Sequence, residues 1–194
     1  MIKNILIGTV LVLVMITSAG ATEVKVDPAS QTIAAGDVFY VDVTVKDVVG
    51  MKGDAAILNF DPGVMQVTGI VEGDFLKAGG STLSVFTWDN TAGTATFGYS
   101  LSGASTVTGS GTLATIRFDT YPDAPTGTYD LSLTDVELRD ASNELIIPIY
   151  VVDGTVTILN TSVPVPVLSG TGVIVLVGML AVVLAISVTR RERK

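Results

Sequence analysis

Any chemistry done by this sequence has to be done by oxygen. Its 194 residues include no His and no Cys. That excludes a thiolate nucleophile, a Ser-His-Asp triad, and zinc or haem sites built on those ligands. The side chain that most often serves as general base near neutral pH is absent as well. Carboxylate chemistry remains, as a glycosidase pair or a calcium site. The densest oxygen cluster is Asp135, Glu137, Asp140, Ser142, Asn143 and Glu144. Its spacing departs from the regular D-x-D-x-D-G series of an EF-hand and reads as an acidic hairpin tip. No carboxylate pair stands out as an acid/base couple, so neither enzymatic activity nor a resident metal or cofactor is expected.

The alternative to chemistry is binding by a surface. A flat sheet face carrying small polar residues can accept an amphipathic helix. The outward positions of two segments supply such a face: Gly53, Ala55, Ile57 and Asn59, then Thr94, Thr96, Gly98 and Ser100. Trp88 is the only tryptophan. Alternation puts it on one face with Phe86 and puts Val85 and Thr87 on the other, which predicts Trp88 inward and buried. An exposed Trp88 would instead be a natural binding hot spot.

Strands must position these residues. Phe39, Val41, Val43 and Val45 alternate with Tyr40, Asp42, Thr44 and Lys46, the period of a strand with one buried face. The same period runs through Ala56, Leu58 and Phe60, through Ala95, Phe97 and Tyr99, and through Ala114, Ile116 and Phe118. It recurs at Tyr129, Leu131 and Leu133, and Val156 and Ile158 close the domain. Turn chemistry separates the runs at Ala35-Gly36-Asp37, Asp61-Pro62-Gly63 and Pro122 to Gly127, and Asp89 to Gly93 reads as a hairpin link. Leu133 is followed by Val136 and Leu138, a slip of one in the inward phase, which predicts a β-bulge near Thr134-Asp135. With no sustained helical period and no internal repeat between 22 and 160, the fold class is an all-β sandwich in a single module.

The two ends account for the composition. Hydrophobic residues make up 48% and charged residues 15%, too apolar for an ordinary soluble domain. Residues 1–21 read as a cleaved export signal: Lys3 is the basic n-region, Ile5 to Ile16 the apolar stretch, and Ala19-Gly20-Ala21 the cleavage site. Ser169 to Thr189 is free of charge and long enough to span a bilayer as a helix. The basic tail 190–194 follows it, which predicts a cytoplasmic C-terminus and an external domain on the cell surface. Between domain and span, 161–168 is a Pro-containing stalk. Asn160-Thr161-Ser162 is a sequon, making Asn160 a glycosylation candidate. Pro164 and Pro166, the apolar helix and the basic end together resemble prokaryotic C-terminal sorting tails, including archaeal ones, which can be cut and exchanged for a lipid. Residues 22–165 carry six basic and 18 acidic residues. That surface disfavours nucleic acid and suits a basic partner or a cation-rich medium.

Five segments in register resemble the cohesin modules of cellulosome scaffold proteins. They are Ala35-Gly36-Asp37 with its valine-rich strand, Met51 to Val64 with its Phe60-Asp61-Pro62 turn, and Gly93 to Phe97. Gly111-Thr112-Leu113-Ala114-Thr115-Ile116-Arg117-Phe118 and Asp153-Gly154-Thr155-Val156-Thr157-Ile158 complete the set. The resemblance covers about residues 24–159. It implies a nine-strand jelly-roll β-sandwich over 22–160 and a non-catalytic role, tethering dockerin-bearing proteins whose calcium belongs to the dockerin. The family's dockerin platform falls on the strands holding Gly53–Asn59 and Thr94–Ser100. Gly53 and Ala55 stand where the best-known subtype has Asn and Asp contacts, so that polar core is missing. Two other roles fit the same sandwich. One is a structural or adhesive surface protein. The other is a carbohydrate- or polysaccharide-binding module, which needs coplanar exposed aromatics that Tyr40, Tyr121 and Tyr150 do not align to supply.

Overall fold

The computed structural model describes residues 21–160. All but the last residue of the predicted export signal 1–21, and the whole of the predicted stalk, membrane helix and basic tail, lie outside the described residues. Among the described residues no helix is long and apolar enough to cross a membrane.

The described residues hold ten strands: β1 (Thr22–Asp27), β2 (Ser30–Ala34), β3 (Val38–Asn59), β4 (Met65–Glu72), β5 (Thr82–Asp89), β6 (Thr94–Leu101), β7 (Val107–Thr120), β8 (Gly127–Asp140), β9 (Ile149–Val152) and β10 (Gly154–Leu159). A single helical turn, α1 (Asp74–Lys77), follows β4 and packs Phe75 and Leu76 inward. The long β3 serves both layers. Val38–Val45 pairs with β1 and β7, whereas Gly53–Asn59 pairs with β6 and β8. The switch is made through register shifts between Val45 and Met51, where Asp47 and Gly50 have positive φ. One layer therefore runs β9-β1-β3-β7-β4 and the other β2-β10-β8-β3-β6-β5.

The count of nine strands is corrected to ten. Asp153 alone separates β9, which pairs with β1, from β10, which pairs with β8. Its carboxylate accepts the Leu133 N–H at 2.8 Å and holds the chain where it changes layers.

The inward alternation is observed where the sequence places it. Val41, Val43, Leu58, Phe97, Ile116, Phe118, Val156 and Ile158 are all buried. Phe118 is the centre of the aromatic core, stacked on Phe39 at 5.0 Å and meeting Phe60 edge-on at 5.3 Å. Both geometries are favourable arrangements of the ring quadrupoles.

The predicted bulge is present. Ala55 faces Glu137 and Ile57 faces Thr134, so Asp135 and Val136 together oppose Ala56. Asp135 takes φ +50° to absorb the extra residue. The predicted hairpin is present as well. Asp89 Oδ1 accepts the N–H groups of Thr91 and Ala92, and Gly93 closes the turn at φ +73°. A Cβ at Gly93 would lie 2.3 Å from the Phe60 carbonyl oxygen, so only glycine fits.

The expectation of a buried Trp88 is overturned. Phe86 and Trp88 do share the core-side face of β5, opposite Phe97 and Ala95. They are nonetheless 46% and 38% exposed. β5 is an edge strand paired only with β6, and every residue from Leu83 to Asp89 is exposed. Alternation assigned the face correctly, but at this edge strand the core-side face is left uncovered.

Candidate binding face

Cross-strand register assembles the outward residues into rungs. In an antiparallel pair, directly opposed residues project to the same side. Leu83, Ser100, Gly53 and Arg139 form one rung across β5, β6, β3 and β8. Val85, Gly98, Ala55 and Glu137 form the next. Thr87, Thr96, Ile57 and Thr134 follow, then Asp89, Thr94, Asn59 and Ser132. All eight sequence-predicted positions thus lie on one face, brought there by a single strand pair.

The face is flat at its centre because two of its residues have no side chain. A Cβ on Gly53 would stand 3.0 Å from the Tyr99 carbonyl oxygen, and one on Gly98 3.2 Å from that of Asp54. The two backbones are therefore in close approach. Gly53 is buried by this packing, whereas Ala55, Ile57, Asn59, Thr94, Thr96 and Gly98 are half-buried and Ser100 is exposed. Asn59 is held in place by its own sheet, its Nδ2 donating to Thr134 Oγ1 at 3.0 Å and to the Ser132 carbonyl at 3.1 Å.

Three contributors escaped the sequence reading. Leu83 and Val85 on β5 are 69% and 74% exposed and extend the face with apolar surface. Counting back from the Asp89–Gly93 hairpin would have paired Val85 with Gly98 from the sequence alone. At the opposite edge, Arg139 donates to Glu137 Oε2 at 2.7 Å and to the Asn143 carbonyl at 3.0 Å. The Arg139 group belongs to a depression of about 280 Å³ bordered by Gly53, Ala55, Ser100, Glu137 and Asn143. The face is thus small-residued in the middle, apolar along β5 and charged along β8.

The acidic hairpin tip is occupied with its own turn. Asp140 Oδ1 accepts the N–H groups of Ser142 and Glu144. Among the described residues no group of three or more Asp, Glu, His or Cys is placed to hold a metal together. Asn160 is half-buried, and its side-chain amide donates to the Ala124 carbonyl at 3.0 Å, so attaching a glycan there requires that bond to open. Tyr40 and Tyr150 are both exposed, on the outer face of the other layer. Tyr150 is in register with Glu23 and Lys46, six positions from Tyr40 along β3, roughly 20 Å at the rise of a strand. They form no stacking row with each other.

Comparison with known proteins bears on the fold and the family. No curated protein sequence matches the chain. Among solved structures, the chain is similar to a non-cellulosomal cohesin from the hyperthermophilic archaeon Archaeoglobus fulgidus, at 16% identity and a TM-score of 0.60, covering 74% of this chain and 94% of that one. It is similar to the third ScaC cohesin of Acetivibrio cellulolyticus, solved with the ScaB dockerin, at 20% identity and a TM-score of 0.62, covering 71% and 99%. A cohesin in the Coh-OlpA-Doc918 complex of Clostridium thermocellum matches at 17% identity and a TM-score of 0.62, covering 72% and 100%. These likenesses show the jelly-roll sandwich. The family model of the Cohesin domain matches residues 22–178, and the chain belongs to the cohesin domain family.

Proposed function

We propose that this domain is a non-catalytic binding module that holds a dockerin-bearing protein on the β5-β6-β3-β8 face. The observation that carries the reading is the composition of that face. Gly53, Ala55 and Gly98 keep its centre level, and Ile57, Val85 and Leu83 offer apolar area that a docked helix would cover. Cohesins of the same fold have been solved with dockerins bound. With Gly53 and Ala55 in place of amide and carboxylate contacts, the partner is gripped through apolar and main-chain contacts at the centre. Arg139 and Glu137 supply the polar contacts at the rim. Interfaces with an apolar middle and a charged edge behave this way in general. Any calcium in such a complex that serves recognition belongs to the partner module.

The same proposal places the domain outside the cell. Residues 1–21 are its export signal and 169–189 its membrane anchor, by the composition and charge of those segments. The chain then works as a surface receptor. The aromatic spacing does not favour the carbohydrate-binding alternative, because Tyr40 and Tyr150 lie too far apart to stack on one short glycan.

The test immobilises the full chain in detergent and passes over it dockerin modules from the same genome. Saturable binding that Ile57→Asp abolishes at unchanged thermal midpoint is the expected result. A folded chain that captures none of them turns the assignment to a structural or adhesive role. Cleavage of the domain by protease added to intact cells checks the orientation.

A further inference from the structure

Beneath the binding face lie three side chains with buried oxygen atoms that have no hydrogen-bond partner. Asp54 on β3 and Tyr99 on β6 are direct cross-strand partners pointing into the core, 7% and 2% exposed. Neither carboxylate oxygen of Asp54 has a hydrogen-bond partner, and neither does the Tyr99 hydroxyl. Glu72, at the end of β4 in the facing layer, brings a third group. Its Oε2 accepts from Thr82 Oγ1 at 2.9 Å, whereas its Oε1 is buried and unpaired.

The three groups feel one another. Burial, and then the nearby Glu72 charge, hold the Asp54 carboxyl well above the usual carboxylate range. Burial raises the Tyr99 phenol too, with Asp54 and Glu72 adding to the effect. No basic side chain among the described residues compensates them. The ion pairs are Lys25 with Asp27, Lys77 with Asp74, Arg117 with Asp119 and Arg139 with Glu137. Lys77 Nζ donates to the main-chain carbonyl of Glu72 and not to its carboxylate.

Burying unpaired carboxylates costs several kcal/mol apiece, and a fold retains them where something offsets the charge. We propose that Asp54, Glu72 and Tyr99 form a cation site between the two layers, selective for a hard divalent ion of the calcium type. Carboxylate oxygens are the donors such an ion prefers, and the neutral Tyr99 hydroxyl adds a third oxygen beside the two carboxylates. With only two charged ligands, the expected dissociation constant is on the order of 10⁻⁴ M. The site would tie β4 of one layer to β3 and β6 of the other, directly under Gly53, Ala55 and Gly98. It belongs to this chain and is separate from any calcium on a partner.

The experiment measures the thermal midpoint of the full chain in detergent, in chelator and in calcium at roughly tenfold over that constant. The expected result is a rise of about 3–6 °C with calcium, lost in Asp54→Asn and in Glu72→Gln. Asp140→Asn, which alters the surface acidic tip, should keep it. Terbium supplies a second readout that needs no variant to fold. Calcium-competed emission sensitised by tyrosine is expected from the native chain and should fall in Tyr99→Phe. Absence of both signals in the native chain overturns the proposal. So does a calcium shift that survives in Asp54→Asn and Glu72→Gln, which would locate the ion on surface acids. A midpoint raised equally by Asp54→Asn in chelator and in calcium would show that a proton, and not a cation, relieves the pair.

Discussion

Val85 on β5 stands directly across from Gly98 on β6, so the most exposed apolar side chain of the binding face borders its lowest point. A partner helix seated over Gly98 would therefore bury Val85. Val85→Asp should weaken dockerin binding at least about tenfold and move stability by no more than about 0.5 kcal/mol, because the residue is exposed. Trp88→Ala, on the opposite face of the same strand, should leave affinity within about twofold. Titration calorimetry on both variants checks the pair, and equal losses would mean that the edge of β5, rather than its outer face, makes the contact.

Gly93→Ala should be among the most damaging small substitutions in the domain. It combines a left-handed backbone, at φ +73°, with a Cβ 2.3 Å from the Phe60 carbonyl oxygen. That carbonyl cannot retreat freely, since Phe60 also donates its N–H to the Gly93 carbonyl. A loss of at least about 2 kcal/mol in urea unfolding is expected.

Asp89 predicts a pH dependence whose sign follows from its hydrogen bonds. The N–H groups of Ala92 and Thr91 favour the charged carboxylate and hold Asp89 below its usual range. A group whose folded pKa is depressed stabilises the fold above its unfolded pKa, about 3.9 for Asp. That contribution is lost as the pH falls through the folded value. The stability difference between the native chain and Asp89→Ala should accordingly narrow in acid below about pH 4. The side-chain carboxyl resonance of Asp89, followed by NMR, should titrate below that of an unstructured Asp.

Phe118→Ala removes the ring that both Phe39 and Phe60 contact, at a position with no solvent exposure. Loss of transfer energy plus a cavity the two neighbours cannot fill should cost about 3–5 kcal/mol. Phe118→Leu should cost clearly less. Denaturant midpoints with an unchanged slope would confirm that the loss lies in the native core.

Much of this arrangement was legible before folding was considered. The period of two assigned Ala56, Leu58 and Phe60 inward and Gly53, Ala55, Ile57 and Asn59 outward, and the structure agrees. The broken phase after Leu133 located the bulge, because an inserted residue must show as a slip in alternation. The same parity held a signal that went unused. Asp54 shares its phase with Ala56 and Leu58, so an acid had to point into the core. The short strands β2 and β9 and the single turn α1 carry too few periodic residues to stand out in the same way.

By itself, the sequence of this protein determined which residues share a face, where turns must fall and which chemistries are impossible, because those depend on side-chain type and local backbone period. Tertiary structure alone decided what covers each face and what meets across the layers. Trp88 faces the core side and is still exposed, on an edge strand that pairs only with β6. Asp54 and Tyr99 meet as cross-strand partners, and Glu72, from β4 in the other layer, acts on both through its charge; no local rule couples strands from different layers.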